Sequence, residues 1–390
     1  MTSFKLDLKT FSGNIVFAMK YPDDTGGVWD GITRFYHALA EVLNDHDIKT
    51  FIAYPALSYN PIFVSDVLSR VELDLCKYRT RQGIEGIKEF IRSNNIKLIV
   101  FVDVPPSELR FDILKRLKVR TMNFSRWGFS DSEKPHKAKS MVKKILKHFP
   151  LWDHDAYIAV SRTQGARLTE WAGINPARTF IAENGIDVDR YRPGPAPEQT
   201  SCKLPPANMY ILMACMARPE KNVDMLVDVC AHIVGKGLSV CFVYAGDGIC
   251  KPEWEKKVAR LGLQEYFLFV GHQDDLVPFY RLADIFVHAS SREASPRVVM
   301  ESLSMGLPVV ASSIDPHREI LERADLDWSI TEQSIAAYSD KIEHLYFSDQ
   351  SRRRLGNKGR SYALKYLRQE IQIDKVKGII LSVLGRGDVL

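Results

Sequence analysis

Short apolar runs alternate along this chain with longer stretches in which apolar residues recur every three or four positions. The runs lie at 14–19, 50–53, 98–102, 119–124 and 157–160, and again at 209–215, 239–244, 267–270, 285–288 and 308–311. Between them the spacing is helical, as at 32–43, where Phe35, Leu39 and Leu43 share one face. Strand and helix patterns in strict alternation predict an α/β protein, with parallel sheets wound by helices. The alternation stops at 192–207, a stretch with five prolines and no period, which reads as an interdomain linker. A chain of 390 residues exceeds one compact core and suits two domains. In doubly wound domains, ligands bind at the carboxyl ends of the strands.

Composition narrows the class only slightly. The 45% hydrophobic and 26% charged contents are those of a soluble globular protein. A net charge of +5 is compatible with anionic substrates or an anionic surface without pointing to either. Six cysteines form no C-x-x-C pair, and Cys215 and Cys241 fall in apolar runs, so they read as small buried hydrophobes. The N-terminal residues carry lysines and acids but no apolar h-region, so no signal peptide is expected. No run of transmembrane length occurs. A reducing cytoplasm is the default expectation, and nothing resembles a nucleic-acid module.

The chemistry concentrates between Ser290 and Ser312. Glu293 and Glu301 lie eight positions apart, one in a strand-to-helix loop and one about a turn into the following helix. The loop offers backbone N–H groups at a helix N-terminus, suited to an anion. The carboxylates accept hydrogen bonds from hydroxyl groups. An anion joined to hydroxyls describes a nucleotide sugar.

This segment resembles the E-x7-E motif of retaining GT-B glycosyltransferases, in particular glycosyltransferase family 4. The likeness extends over Glu183–Pro193, the Ala245-Gly-Asp-Gly248 turn and the run Phe269–Val287, in the family's order over roughly 155–325. It implies a GT-B fold, two doubly wound Rossmann-like domains facing across a cleft. The expected division is 1–190 for the acceptor, 191–207 as linker, 208–365 for the nucleotide sugar, and 366–390 as a C-terminal helix returning to the first domain.

Residue by residue, the resemblance implies that Glu301 accepts the ribose hydroxyls and Glu293 those of the sugar. Bland readings are a solvated helix residue for the first and a dipole-stabilised acid for the second. The loop departs from the glycine-rich pattern. Ser295 and Arg297 keep their N–H groups, but Pro296 has none to donate. The Arg297 side chain is in range of a phosphate, with helix-surface solvation as the alternative. The family's diphosphate cations match Lys221 directly. The arginine is irregular, because Met216 occupies its place and Arg218 follows two residues later. Gly271 and His272 are expected against the nucleobase. Gly246 and Gly248 are explained by a tight turn.

The acceptor side is expected in the first domain. Gly26 and Gly27 allow close backbone approach to the donor, and Asp24 and Trp29 are acceptor candidates beside Asp23 and Asp30. Where the family often has a histidine, this chain has Ser125 and Arg126. Residues 134–148 form a basic amphipathic helix, either peripheral to an anionic membrane or packed on the surface with a solvated face.

The resulting expectation is a retaining, metal-independent hexosyl-type glycosyltransferase with no cofactor. It moves sugar from a nucleoside-diphosphate sugar, UDP favoured, to a saccharide, lipid or small-molecule acceptor in bacterial glycan, glycolipid or glycosylated-metabolite synthesis. The alternatives are a GT-B epimerase or phosphorylase, or a non-catalytic sugar-nucleotide-binding protein. A nicotinamide enzyme is disfavoured, since no G-x-G-x-x-G follows the first strand.

Overall fold

The computed structural model describes residues 13–21, 28–57, 65–76, 80–104, 109–126, 153–195 and 204–385, with side chains from 34 onward in the first helix. The chain divides into two compact units. The first comprises the residues up to Glu183 together with those from Gln372 on, and the second is Asn184–Ile371.

In the first unit the elements run β1 (Asn14–Ala18), α1 (Val28–Asn44), β2 (Thr50–Tyr54), β3 (Leu68–Glu72), α2 (Arg81–Ser93), β4 (Ile96–Val102), α3 (Phe111–Arg116), β5 (Arg120–Ser125), β6 (Ala156–Ala159), α4 (Arg162–Glu170) and β7 (Thr179–Ile181). The strands form one sheet in the order β3-β2-β1-β4-β5-β6-β7. Its pairs are parallel, with Phe17 opposite both Ile52 and Val100. The predicted apolar face of α1 is buried on the sheet through Phe35, Leu39 and Leu43. Side-chain caps start two of the helices: Thr80 Oγ1 accepts from Gly83 N–H at 3.1 Å, and Ser161 Oγ from Gln164 N–H at 3.1 Å.

The second unit repeats the plan: β8 (Met209–Ala214), α5 (Val223–Gly235), β9 (Val240–Ala245), α6 (Lys251–Arg260), β10 (Phe267–Gly271), α7 (Val277–Leu282), β11 (Ile285–His288), α8 (Arg297–Ser304), β12 (Val309–Ser312), α9 (Asp315–Leu321), β13 (Ile330–Thr331), α10 (Ile335–Phe347) and α11 (Asp349–Tyr366). A last helix, α12 (Gln369–Gly385), carries the chain from the second unit into the first. The second sheet is parallel, in the order β10-β9-β8-β11-β12-β13. Ile211 pairs with both Phe242 and Ile285, so β8 and β11 are central neighbours.

Both sheets follow the doubly wound order in which the chain first winds one way and then the other. In the second, the connection after β8 leads to β9 on one side, and that after β11 leads to β12 on the other. The loops after β8 and β11 therefore diverge above two adjacent strands. Three strands were missing from the sequence expectation: β3, β7 and β13. All lie at sheet edges and are only partly buried, so none leaves an apolar run to read.

Candidate active site

The loop after β8 turns through a short 3₁₀ segment, Pro219–Lys221, and Asn222 in a left-handed conformation (φ 52°) opens α5. The loop after β11 runs from Ala289 to Pro296 and opens α8. The two are tied together. Ser291 N–H donates to the Glu220 carbonyl at 2.7 Å, and Arg292 Nη2 lies 3.4 Å from Glu220 Oε1.

That tie sets Lys221 beside Glu293. Lys221 Nζ is 2.6 Å from Glu293 Oε1, and the ring nitrogen His288 Nε2 reaches the same oxygen at 2.8 Å. Burial would raise the Glu293 pKa, but the His288 hydrogen bond and the Lys221 charge outweigh it and hold the carboxyl well below its usual range. Glu293 therefore carries a full charge at neutral pH, fixed between two donors.

Glu301, in the second turn of α8, is 6% exposed. Tyr280 Oη donates to its Oε2 at 3.1 Å, and Arg297 Nε lies 3.9 Å from its Oε1. The Tyr191 and Tyr280 rings meet edge to face at 6.0 Å. Burial raises the Glu301 pKa despite Arg297 and the Tyr280 bond. The solvated-helix reading of this residue is thereby excluded. The Arg297 side chain is half-buried, with Nη1 donating to the Gly185 carbonyl at 3.1 Å, and is not spread over the helix surface. Ser295 Oγ is buried and accepts or donates no hydrogen bond among the described residues, and Pro296 is buried beside it.

Met216 is 45% exposed, whereas Arg218 is half-buried and starts the 3₁₀ turn, its carbonyl accepting from Lys221 N–H at 3.0 Å. The Ala245–Gly248 turn backs this loop. Ala217 N–H donates to the Asp247 carbonyl at 2.8 Å, and a Cβ on Gly246 (φ +156°) would sit 1.9 Å from the Cys215 carbonyl oxygen. Gly271 closes β10 and accepts from Gly246 N–H at 2.8 Å; His272 is exposed, 3.4 Å from Asp274.

In the first unit, Ser125 ends β5 and its Oγ accepts from Gln164 Nε2 at 2.8 Å. Arg126 N–H donates to Asp103 Oδ1 at 2.6 Å, and Arg126 Nε lies 3.4 Å from Oδ2. Burial would lower the Arg126 pKa, but Tyr36 and Asp103 facing it keep it raised. Asp24, Gly26, Gly27 and the helix expected at 134–148 lie outside the described residues, as does the side chain of Trp29 in α1. Among the described residues no set of three His, Cys, Asp or Glu is grouped to hold a metal, no cysteines are bonded, and no helix is long and apolar enough to cross a membrane.

The sequence reading missed His288, Tyr280 and Tyr191. His288 had one signal, a polar residue closing an apolar strand five positions before Glu293. The two tyrosines had none, because they look like ordinary core aromatics.

These loops and glutamates fall within one recognisable segment. Residues 201–362 match the glycosyl transferases group 1 family. A putative glycosyltransferase, EpsD of Bacillus subtilis, is 27% identical over 186 residues, 47% of this chain and 49% of its own length. The chain thus spans about half, or less, of the curated relatives it matches. A glycosyltransferase from Rickettsia africae superposes with a TM-score of 0.74 at 17% identity, covering 97% of this chain and all (100%) of that one. Anabaena Alr3699/HepE, crystallised with UDP and glucose, gives 0.72 at 15% identity, covering 95% of this chain and 100% of its own. At these identities the likeness establishes the fold, the GT-B architecture of two doubly wound α/β units.

Proposed function

We propose that the protein is a glycosyltransferase that takes its sugar from a nucleoside-diphosphate donor and transfers it with retention, without a metal ion. The Lys221–Glu293 pair above the central strands of the second sheet, with Glu301 buried one turn into α8, is the observation that carries this reading. Lys221 and Arg218 take the diphosphate charge, which grows as the glycosidic bond breaks. The backbone at Ser295 and the Arg297 side chain support the same phosphates, although Pro296 donates nothing. Glu301 accepts the ribose hydroxyls, Glu293 accepts sugar hydroxyls, and Gly271 and His272 line the base. The departing phosphate oxygen takes the acceptor's proton on the face it leaves, which keeps the configuration. UDP is favoured as nucleotide, in line with the UDP held by the Anabaena protein of similar fold. The acceptor is a saccharide, lipid or small molecule. It is received by the first unit, with Gly26, Gly27, Asp24, Trp29, Ser125 and Arg126 as candidate contacts, and 134–148 as the candidate membrane contact.

The test is release of free nucleoside diphosphate from a panel of sugar nucleotides, with and without acceptors and EDTA. Wild-type activity is expected to survive EDTA. Glu301→Ala is expected to lose about 1.5–3 kcal/mol of donor interaction, roughly 10- to 150-fold in kcat/KM, with the fold intact. Undiminished turnover in folded Glu301→Ala, or an absolute need for added manganese, would overturn the assignment.

A further inference from the structure

We infer that His288 is a positioning residue for Glu293, an assignment that rests on the glycosyl-transfer reading above. His288 closes β11 and is 3% exposed. Its main chain and its ring are both held. Tyr338 Oη donates to the His288 carbonyl at 3.2 Å, the Phe286 ring is nearly parallel at 6.2 Å, and the His317 ring meets it edge to face at 5.2 Å.

His317 is fully buried, and its Nδ1 lies 2.8 Å from the Ser312 carbonyl. A carbonyl only accepts, so Nδ1 carries the proton. Burial, with His288 nearby, pushes the His317 pKa down to about 3. A neutral ring thus braces His288 from behind and adds no charge of its own.

Glu293 Oε1 therefore has two donors of different character. Lys221 is a point charge on a flexible four-carbon stem, whereas His288 is a ring fixed at a strand end. A diphosphate competes directly for the Lys221 ammonium. When Lys221 turns to the phosphate, the buried Oε1 loses its charged donor, and losing its second donor as well would let the carboxylate swing away from its place. The His288 N–H keeps Oε1 in place through that exchange, so the carboxylate stays aimed at the sugar while Lys221 changes partner. Nucleotide affinity then does not depend on His288; placement of the transferred sugar does.

The experiment compares His288→Leu and His288→Gln in the intact protein, where Gln keeps an N–H donor of similar reach. UDP is titrated by calorimetry, and UDP release is followed with the best donor of the panel. Leu is expected to lower kcat about 10²-fold, the order of loss for a reacting group displaced by an ångström. Its Kd for UDP should stay within about 3-fold of wild type, and Gln should recover most of the loss. Wild-type kcat in His288→Leu, failure of Gln to rescue, or a parallel loss of UDP binding and thermal stability each overturns the inference. A wild-type protein that binds no UDP and releases none refutes the glycosyl-transfer reading itself, and the inference falls with it.

Discussion

Two arginines compete for the charge that develops on the leaving diphosphate. Arg297 already uses Nη1 on the Gly185 carbonyl and lies near Glu301, so its charge is partly committed to the α8 side. Arg218 starts the same 3₁₀ turn that ends in Lys221. The exposed Met216, in the place where the resembling family has arginine, is a poor candidate for any polar role. A cation that meets charge formed in the transition state contributes more to kcat than to binding. Arg218→Ala is therefore expected to lower kcat about 10²-fold with a smaller change in KM, as for a lost oxyanion donor. Arg297→Ala should act mainly on KM. Steady-state kinetics of both variants decide it, and the reverse ranking would show that Arg297 carries the charge. At this scale Glu293 and Glu301 could be singled out as candidates by their spacing, and Lys221 only by the family resemblance; the structure sets Lys221 beside Glu293. His288 and the two tyrosines could not be singled out, because a strand-end histidine and a core tyrosine acquire their role only from what folds against them.

Among the elements, legibility followed burial. Central strands such as β4 and β9 are buried along nearly their whole length and write themselves as apolar runs. The edge strands β3 and β13 need only a few backbone pairings and leave no such trace. The Ala245–Gly248 turn was legible as a turn, but its load was not. Gly246 lets the loop carrying Arg218 and Lys221 pass against the turn, and any side chain there would collide with the Cys215 carbonyl at 1.9 Å. Gly246→Ala, at a φ of +156°, is expected to cost at least about 2 kcal/mol, since backbone must move to admit the methyl. It should weaken UDP binding as well, because the displaced loop bears Lys221. Gly235→Ala is the control: it ends α5, a Cβ there meets nothing within 4 Å, and the change should be neutral or stabilising by up to about 1 kcal/mol. Urea midpoints and UDP titrations of the two variants are the measurement; equal midpoints would refute the role of the turn.

At the scale of the whole chain, each unit holds, among its described residues, a wholly buried histidine whose pKa burial pushes down, a feature invisible in a sequence with ten histidines. In the second unit it is His317. In the first it is His154, wholly buried against Phe101, Phe111 and Tyr157, with neither ring nitrogen hydrogen-bonded among the described residues. Burial, with Arg178 nearby, pushes the His154 pKa down to about 3. Unfolded histidine titrates near ~6.5. Between these values the unfolded chain binds a proton that the folded unit refuses, so stability is fully present above about 6.5 and is lost as pH falls. From pH 7 to pH 5, mostly above the range where carboxylates titrate, each histidine should remove about 2 kcal/mol. His154→Phe keeps a ring among rings and removes the titration. Hydrogen-exchange protection of β4 and β6, corrected for intrinsic rates, should fall from pH 7 to pH 5 in the wild type and fall clearly less in His154→Phe. Protection of β8 and β11 in the second unit should fall equally in both proteins, because His317 is untouched. An unchanged pH dependence of β4 and β6 in the variant would mean that His154 already shares its proton in the native state.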